Sequence, residues 1–361
     1  MSNQNFIKII HTADLHLDSR LSKNLDSSVS SIRKNELLDS FIRLVEYASD
    51  NNAEYVLISG DTFDTNRISK KTKDSLFNLF KKYSNINFFF LAGNHDNDVD
   101  SLFFNEASVL DNVYVFGKEF KTFDFGSFTI SGVELNNNSS LFMKDTLSLP
   151  SHKKNILMLH GMINGSGDEA IKLSNYVGKN IDYLALGHIH SFGEFKIDSR
   201  GVAVYSGCLE GRGFDEIGKK GFVEITIGEE LKYQFVPFSK RVLHLVEFDI
   251  SGYNSYLNIE NDLFKLLDNI PEADMVKVVL CGNYNVDLIK HNELLNSKLS
   301  RKFLFGKVYD ESRILVNIDD FKNEKSLKGE FIRLVYDSNL SDDLKNSIIE
   351  CGIDVLTGGD K

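Results

Sequence analysis

Five short clusters in the first part of the chain carry side chains that could do chemistry together. They are Asp14-x-His16, Gly60-Asp61, Gly93-Asn94-His95-Asp96, His160-Gly161 and Gly187-His188-x-His190. Five of the nine histidines fall in them. Carboxylate, amide and imidazole without thiolate suit hard or borderline divalent cations such as Mn²⁺, Fe²⁺ or Zn²⁺. The donors outnumber what one ion needs, and two ions sharing a carboxylate would use them all. Such a pair clamps the attacking and leaving oxygens of a phosphate. The glycines beside the donors permit tight turns and close backbone approach.

Each cluster follows a short apolar run, so the elements that position them are strands of an α/β sheet. Strands are expected at 7–10, 54–59, 87–91, 156–159 and 183–186, each ending in one of the clusters. Helices are expected at 32–48 and 72–83, and a short one between His160 and Tyr183. Residues 113–135 read as a strand and hairpin with Phe123, Phe125, Phe128 and Ile130 on one period-2 face. Strands at 201–205, 222–227 and 231–236 follow. In such sheets functional groups collect where the loops leave the C-terminal strand ends, which brings all five clusters to one crevice.

Beyond residue 240 the pattern restarts. Strands are expected at 242–250, 275–280 and 303–308, and helices at 256–267, 288–299, 327–336 and 344–356. The chain of 361 residues therefore divides into a larger domain, 1–240, and a smaller α/β domain with a helical tail, 241–361. With 42% apolar and 26% charged residues it is of globular type, and no apolar run approaches the roughly 20 residues of a membrane helix. Three scattered cysteines, Cys208, Cys281 and Cys351, argue against a disulfide framework. The N-terminus shows no secretory pattern, so a cytoplasmic location is expected. Net charge is −11, and both parts are acidic. Any nucleic-acid binding must use a local patch, a metal-neutralised site or a partner.

The five clusters, with Gly60-Asp61-x-x-Asp64, resemble the full signature of the calcineurin-like metallophosphoesterases. Within that superfamily the chain resembles the DNA repair exonucleases of the SbcD and YhaO type. The phrases that carry this are His11-Thr12-Ala13-Asp14-Leu15-His16-Leu17, Gly60-Asp61-Thr62-Phe63-Asp64, Tyr205-Ser206-Gly207, Gly211-Arg212, Glu216-x-Gly218 and Lys220-Gly221. The resemblance spans about residues 7–225; beyond 240 it is of layout only. It implies a four-layer metallophosphoesterase β-sandwich flanked by helices, followed by a small capping domain. It implies one metal held by Asp14, His16, Asp61 and His190, and a second by Asp61, Asn94, His160 and His188, with Asp61 bridging. The ions would be Mn²⁺ first, with Fe²⁺, Zn²⁺ or Mg²⁺ as alternatives. His95 would not bind metal but would contact the phosphate and protonate the leaving 3′ oxygen.

The activity so implied is hydrolysis of DNA phosphodiesters, as a 3′→5′ exonuclease with endonuclease action on single strands. The partners implied are DNA, a coiled-coil ATPase of the SbcC or YhaN type, and a second copy of the nuclease domain. The competing readings are a small-molecule phosphodiesterase or phosphatase on the same core, which the acidic balance favours, and a scaffold subunit with idle metals. Three further residues keep two readings each. His11 either orients a ligand or is a satisfied strand-end histidine. Asp64 either orients His95 or serves a turn. Arg212, in a glycine-rich loop, either reaches a phosphate backbone or belongs to a plain hairpin.

Overall fold

The computed structural model describes residues 6–21, 25, 27–64, 68–91, 100–285 and 287–356. The chain divides into two compact units, Met1–Val242 and Leu243–Lys361.

The first unit runs β1 (Ile7–Thr12), α1 (Ser27–Asp50), β2 (Ala53–Ser59), α2 (Lys70–Lys82), β3 (Asn87–Leu91), α3 (Asp100–Ala107), β4 (Val113–Phe116), β5 (Lys121–Asp124), β6 (Phe128–Gly132), α4 (Asn137–Asp145) and β7 (Lys154–His160). It continues through β8 (Met162–Ile163), β9 (Ala170–Ile171), β10 (Tyr183–Gly187), β11 (Gly193–Lys196), β12 (Val202–Tyr205), β13 (Gly221–Ile227) and β14 (Leu231–Pro237). Two six-stranded sheets result, ordered β14-β13-β1-β2-β3-β4 and β11-β12-β10-β7-β6-β5. Strands β1 to β4 are mutually parallel, as are β12, β10, β7 and β6, and antiparallel strands finish the edges.

Parallel strands covered on both faces read as near-continuous apolar runs, and the phenylalanines 88–90 are such a run. Alternate residues of each strand serve different layers. Phe89, Ile9 and Leu57 meet Phe128, Ile156 and Tyr183 of the other sheet in a common core. Phe88 and Phe90 face the opposite way, onto Phe41, Leu44, Phe80 and Phe103 of α1 to α3. Met143 of α4 packs with Leu157 and Leu184 on the far side of the second sheet. The unit is thus a helix–sheet–sheet–helix sandwich, the four-layer α/β arrangement expected.

The second unit runs β15 (Leu243–Asp249), α5 (Tyr256–Leu266), β16 (Met275–Cys281), β17 (Asn283–Asn285), α6 (Asn292–Lys302), β18 (Phe305–Asp310), β19 (Arg313–Leu315), α7 (Ile318–Phe321), α8 (Leu327–Tyr336) and α9 (Asp342–Leu356). Its parallel sheet β15-β16-β18 and its helices share a core of Ile259, Val276, Val278, Leu295, Ile332 and Ile349.

Two expectations need correction. The helix expected at 288–299 begins at Asn292, because the Leu288 amide donates to Asn285 O in a turn while its side chain is buried in the same core. Burial, not helical periodicity, explains that leucine. The short helix expected between His160 and Tyr183 is a single 3₁₀ turn, Leu173–Asn175. No helix among the described residues is long and apolar enough to cross a membrane.

Phe89 is fully buried between the sheets and stacks on Tyr114 at 4.6 Å. Phe89→Ala should cost about 3–5 kcal/mol, read as a lower urea midpoint; an unchanged midpoint would contradict this account of the core.

Candidate metal centre

The strands β1 and β2 stop, but their loops continue side by side. Asp14 N donates to Gly60 O at 3.1 Å, His16 N to Asp61 O at 3.0 Å and Leu17 N to Thr62 O at 2.9 Å, and Asp64 N donates back to Leu17 O at 3.2 Å. This extension aligns Asp14, His16, Asp61 and Asp64. From the other sheet, His160 closes β7, and His188 and His190 follow β10. Asp14, His16, Asp61 and His188 have φ of +52°, +45°, +49° and +97°. L residues rarely adopt that region, which costs about 1–3 kcal/mol each where strained. Two glycines make room for the meeting of the sheets. A Cβ on Gly60 would lie 2.1 Å from His160 Nδ1, and one on Gly187 would lie 1.9 Å from Ser59 O.

The imidazoles of His16, His160 and His190 each have Nδ1 engaged and Nε2 turned inward. His160 Nδ1 donates to Ser59 O at 2.9 Å, and its Nε2 lies 3.5 Å from Asp61 Oδ2. His16 Nε2 lies 3.7 Å from that same oxygen, and its Nδ1 is 3.2 Å from Asp64 Oδ1. His190 Nδ1 meets Glu216 Oε1 at 2.7 Å. The Nε2 atoms of His16 and His190 face each other at 3.2 Å. With both Nδ1 atoms on carboxylates, those facing nitrogens need a shared proton or a cation between them. His188 donates its backbone N–H to both oxygens of Asp14, at 2.9 and 3.1 Å. Its Nδ1 is 3.9 Å from Glu169, and its ring meets His160 edge-on at 5.4 Å.

Ligand atoms of Asp14, His16 and His190 lie within 4.8 Å of one another, as do those of Asp14, Asp61 and His160. Oxygen and imidazole donors at this spacing fit divalent cations. The centre is a dimetal-type site with Asp14, His16, Asp61 and His160 as candidate ligands. Asp14 belongs to both groups here and Asp61 to the second, although Asp61 Oδ2 lies 3.7 Å from His16 Nε2 and 3.5 Å from His160 Nε2.

Electrostatics point the same way. Burial, and then the neighbouring Asp61 charge, push the Asp14 carboxyl up to about 7 against the pull of His190. Burial lowers His16 and His160, which keeps them neutral donors. Burial also opposes a charge on His190, but the Glu216 hydrogen bond and the Asp14 charge outweigh it and raise that ring. Glu216 and Asp64 are held below the usual carboxylate range, despite burial, by their histidines and by Arg212; Asp64 falls to about 2.

Asn94 and His95 lie outside the described residues. His11 sits at the buried end of β1 with Nδ1 2.9 Å from the Tyr183 hydroxyl, and burial pushes it down to about 3. Asp64 takes the Ser19 hydroxyl at 2.7 Å besides His16. Arg212 turns its guanidinium onto Glu216 and Asp64. Glu216 and Glu169 went unread as site residues. Glu216 stood in a quoted phrase, but nothing local distinguishes a carboxylate 26 residues after a histidine; only the fold joins them.

Two outcomes follow from this geometry. The metal-free Asp14 carboxyl holds a proton below about pH 7 that a cation must displace. Mn²⁺ affinity should therefore fall at least about tenfold per pH unit below 7, because the raised His190 ring also holds a proton there. The raised Asp14 value means that its contribution to metal-free stability is present at low pH and is lost as pH rises through 7. Calorimetric Mn²⁺ titrations between pH 5.5 and 8 would show this, and a flat profile would refute it. Gly60→Ala, which drives a methyl into His160, should reduce bound metal by elemental analysis, whereas full content would show that His160 can shift freely.

The calcineurin-like phosphoesterase family model matches residues 7–192. The chain is 25% identical to the DNA double-strand break repair protein Mre11 of Methanosarcina acetivorans over 319 residues, which cover 84% of this chain and 50% of that one. It is 27% identical to the protein of the same name from Sulfurisphaera tokodaii, covering 55% and 53%. With its namesake in Thermoplasma acidophilum it shares 26% identity over 78% of each chain. The chain thus spans about half the length of the first two of these relatives. With the family model covering more than half of its residues and Asp14, His16, Asp61, His160 and His190 of the signature gathered at one centre, the chain belongs to the calcineurin-like phosphoesterases.

Proposed function

We propose that the chain is a dimetal-dependent DNA nuclease that hydrolyses phosphodiester bonds. The observation that carries this is the inward aim of three imidazoles: the Nε2 atoms of His16 and His160 lie 3.7 and 3.5 Å from the buried Asp61 Oδ2, and His190 Nε2 faces that of His16 at 3.2 Å. The names of the relatives, DNA double-strand break repair proteins, support DNA as the substrate.

In this reading two divalent cations, Mn²⁺ first, neutralise phosphate charge and acidify water. The chain's residues hold and orient. Asp14, His16, Asp61 and His190 would serve one cation, and Asp61, Asn94, His160 and His188 the other. Glu216 and Ser59 O keep a proton on the Nδ1 of His190 and His160, so each Nε2 offers a lone pair. His95, placed by its motif, would protonate the departing 3′ oxygen, which leaves a 5′ phosphate on the released nucleotide. The action would be 3′→5′ on double-stranded ends, with endonuclease action on single strands.

Residues 1–240 would be the nuclease domain and 241–361 a capping domain. An acidic chain of net charge −11 gains little from long-range attraction to DNA. A coiled-coil ATPase of the SbcC or YhaN type would supply that affinity, with a second copy of the nuclease domain. Cys208, Cys281 and Cys351 are free thiols, in keeping with a reducing, cytoplasmic setting.

The test is Mn²⁺-dependent hydrolysis by the purified chain, comparing linear double-stranded DNA with a small chromogenic phosphodiester. DNA should be degraded, and His95→Ala should lose at least about 100-fold in rate, the low end of general acid catalysis, while retaining its metal. Cleavage of the small ester alone, even with the ATPase added, would favour a small-molecule phosphodiesterase instead.

A further inference from the structure

Arg212 lies where a phosphate contact was one of two expectations, but its surroundings give it other work. Its side chain is only 18% exposed. Its backbone N–H donates to Glu216 Oε2 at 2.8 Å, and Nε and Nη2 lie 3.2 and 3.0 Å from Oε1. Nη1 reaches Asp64 Oδ1 at 3.5 Å. Those two carboxylates are the groups against the Nδ1 atoms of His190 and His16. One guanidinium therefore ties together the two carboxylates that set the two rings, and the rings face each other Nε2 to Nε2.

The peptide that carries Arg212 is itself fixed from behind. Arg33 of α1, buried, donates to Gly211 O at 2.7 Å and to Glu210 at 3.2 Å. Glu210 accepts from Ser40 at 2.6 Å. A planar fork placed this way fits two carboxylates as a point charge would not. Three of its nitrogens are directed at the clamp, and its charge is countered by two acids, which leaves little to offer a DNA phosphate.

We propose that Arg212 is a positioning residue: with Glu216 and Asp64 it forms a charged clamp that fixes His190 and His16 to face one cation site, the one shared with Asp14. The proposal rests on reading the centre as a metal site and is independent of which phosphodiester is cleaved.

The experiment is calorimetric titration of the metal-free full chain with Mn²⁺, for wild type, Arg212→Gln and Glu216→Gln, alongside the melting temperature of each metal-free protein. In both variants one Mn²⁺ site should weaken about 10–100-fold, as loss of a ligand's orienting partner does. The other site should keep its wild-type affinity, even though losing one partner of a largely buried ion pair lowers the metal-free melting temperature. Hydrolysis of DNA and of a small chromogenic diester should then fall by the same factor at limiting Mn²⁺ and recover together at excess. Wild-type Mn²⁺ binding with a loss confined to DNA would overturn the clamp in favour of a phosphate contact. Both sites weakened equally would reduce the residue to a structural part. If Arg212→Gln does not fold, Glu216→Gln decides, since its amide oxygen can still accept from His190 while the carboxylate that holds Arg212 is lost. The titration judges the clamp whether or not wild type cleaves DNA, so this inference and the nuclease reading fail separately.

Discussion

Two carboxylates, Asp14 and Asp61, are almost wholly buried beside one another among imidazoles. Burying an ionised carboxylate without a counter-charge costs several kcal/mol. The protein answers in part by raising Asp14 to about 7, so that a proton stands in for positive charge. A divalent cation answers it fully. Most features of the first unit serve this constraint. The loops after β1 and β2 stay paired so that the two acids cannot move apart. The backbone accepts left-handed angles at Asp14, His16, Asp61 and His188, and the sandwich core beneath holds them there.

The rings are oriented by three different means. A backbone carbonyl, Ser59 O, sets His160, and it can do so only because Gly60 and Gly187 leave room where the two sheets meet. Acidic side chains set His16 and His190. His188 is placed through its own main chain, by the N–H it gives to Asp14. The first and last of these resist substitution poorly at neighbouring positions, because backbone cannot be swapped. The acid-based pair is the adjustable part of the centre, and Arg212 is the group that links its two halves.

The second unit has its own core and needs no site residue to explain it. Its strands β15, β16 and β18 and its helix α8 follow the apolar pattern closely. Leu288 shows the limit of that pattern. A leucine at helical spacing can be buried from a turn as well as from a helix, and only its neighbours in space distinguish the two.

The family resemblance implied the four-layer class, and the pattern of residues by itself determined the strand–helix alternation and which histidines and acids stand at strand ends. These are local matters: apolar runs make strands, and small or polar residues end them. It also identified His11 and Arg212 as residues to explain, with two readings each. Tertiary structure decided what those residues touch. His11 meets Tyr183 of the opposite sheet, and Arg212 meets acids at positions 64 and 216. It also decided that Glu216 belongs at the centre and that four of the site residues have left-handed backbone. Such partnerships join positions up to 174 residues apart, as His16 and His190 are. No local pattern records them, because they exist only once two sheets have packed face to face and brought the C-terminal ends of their strands together.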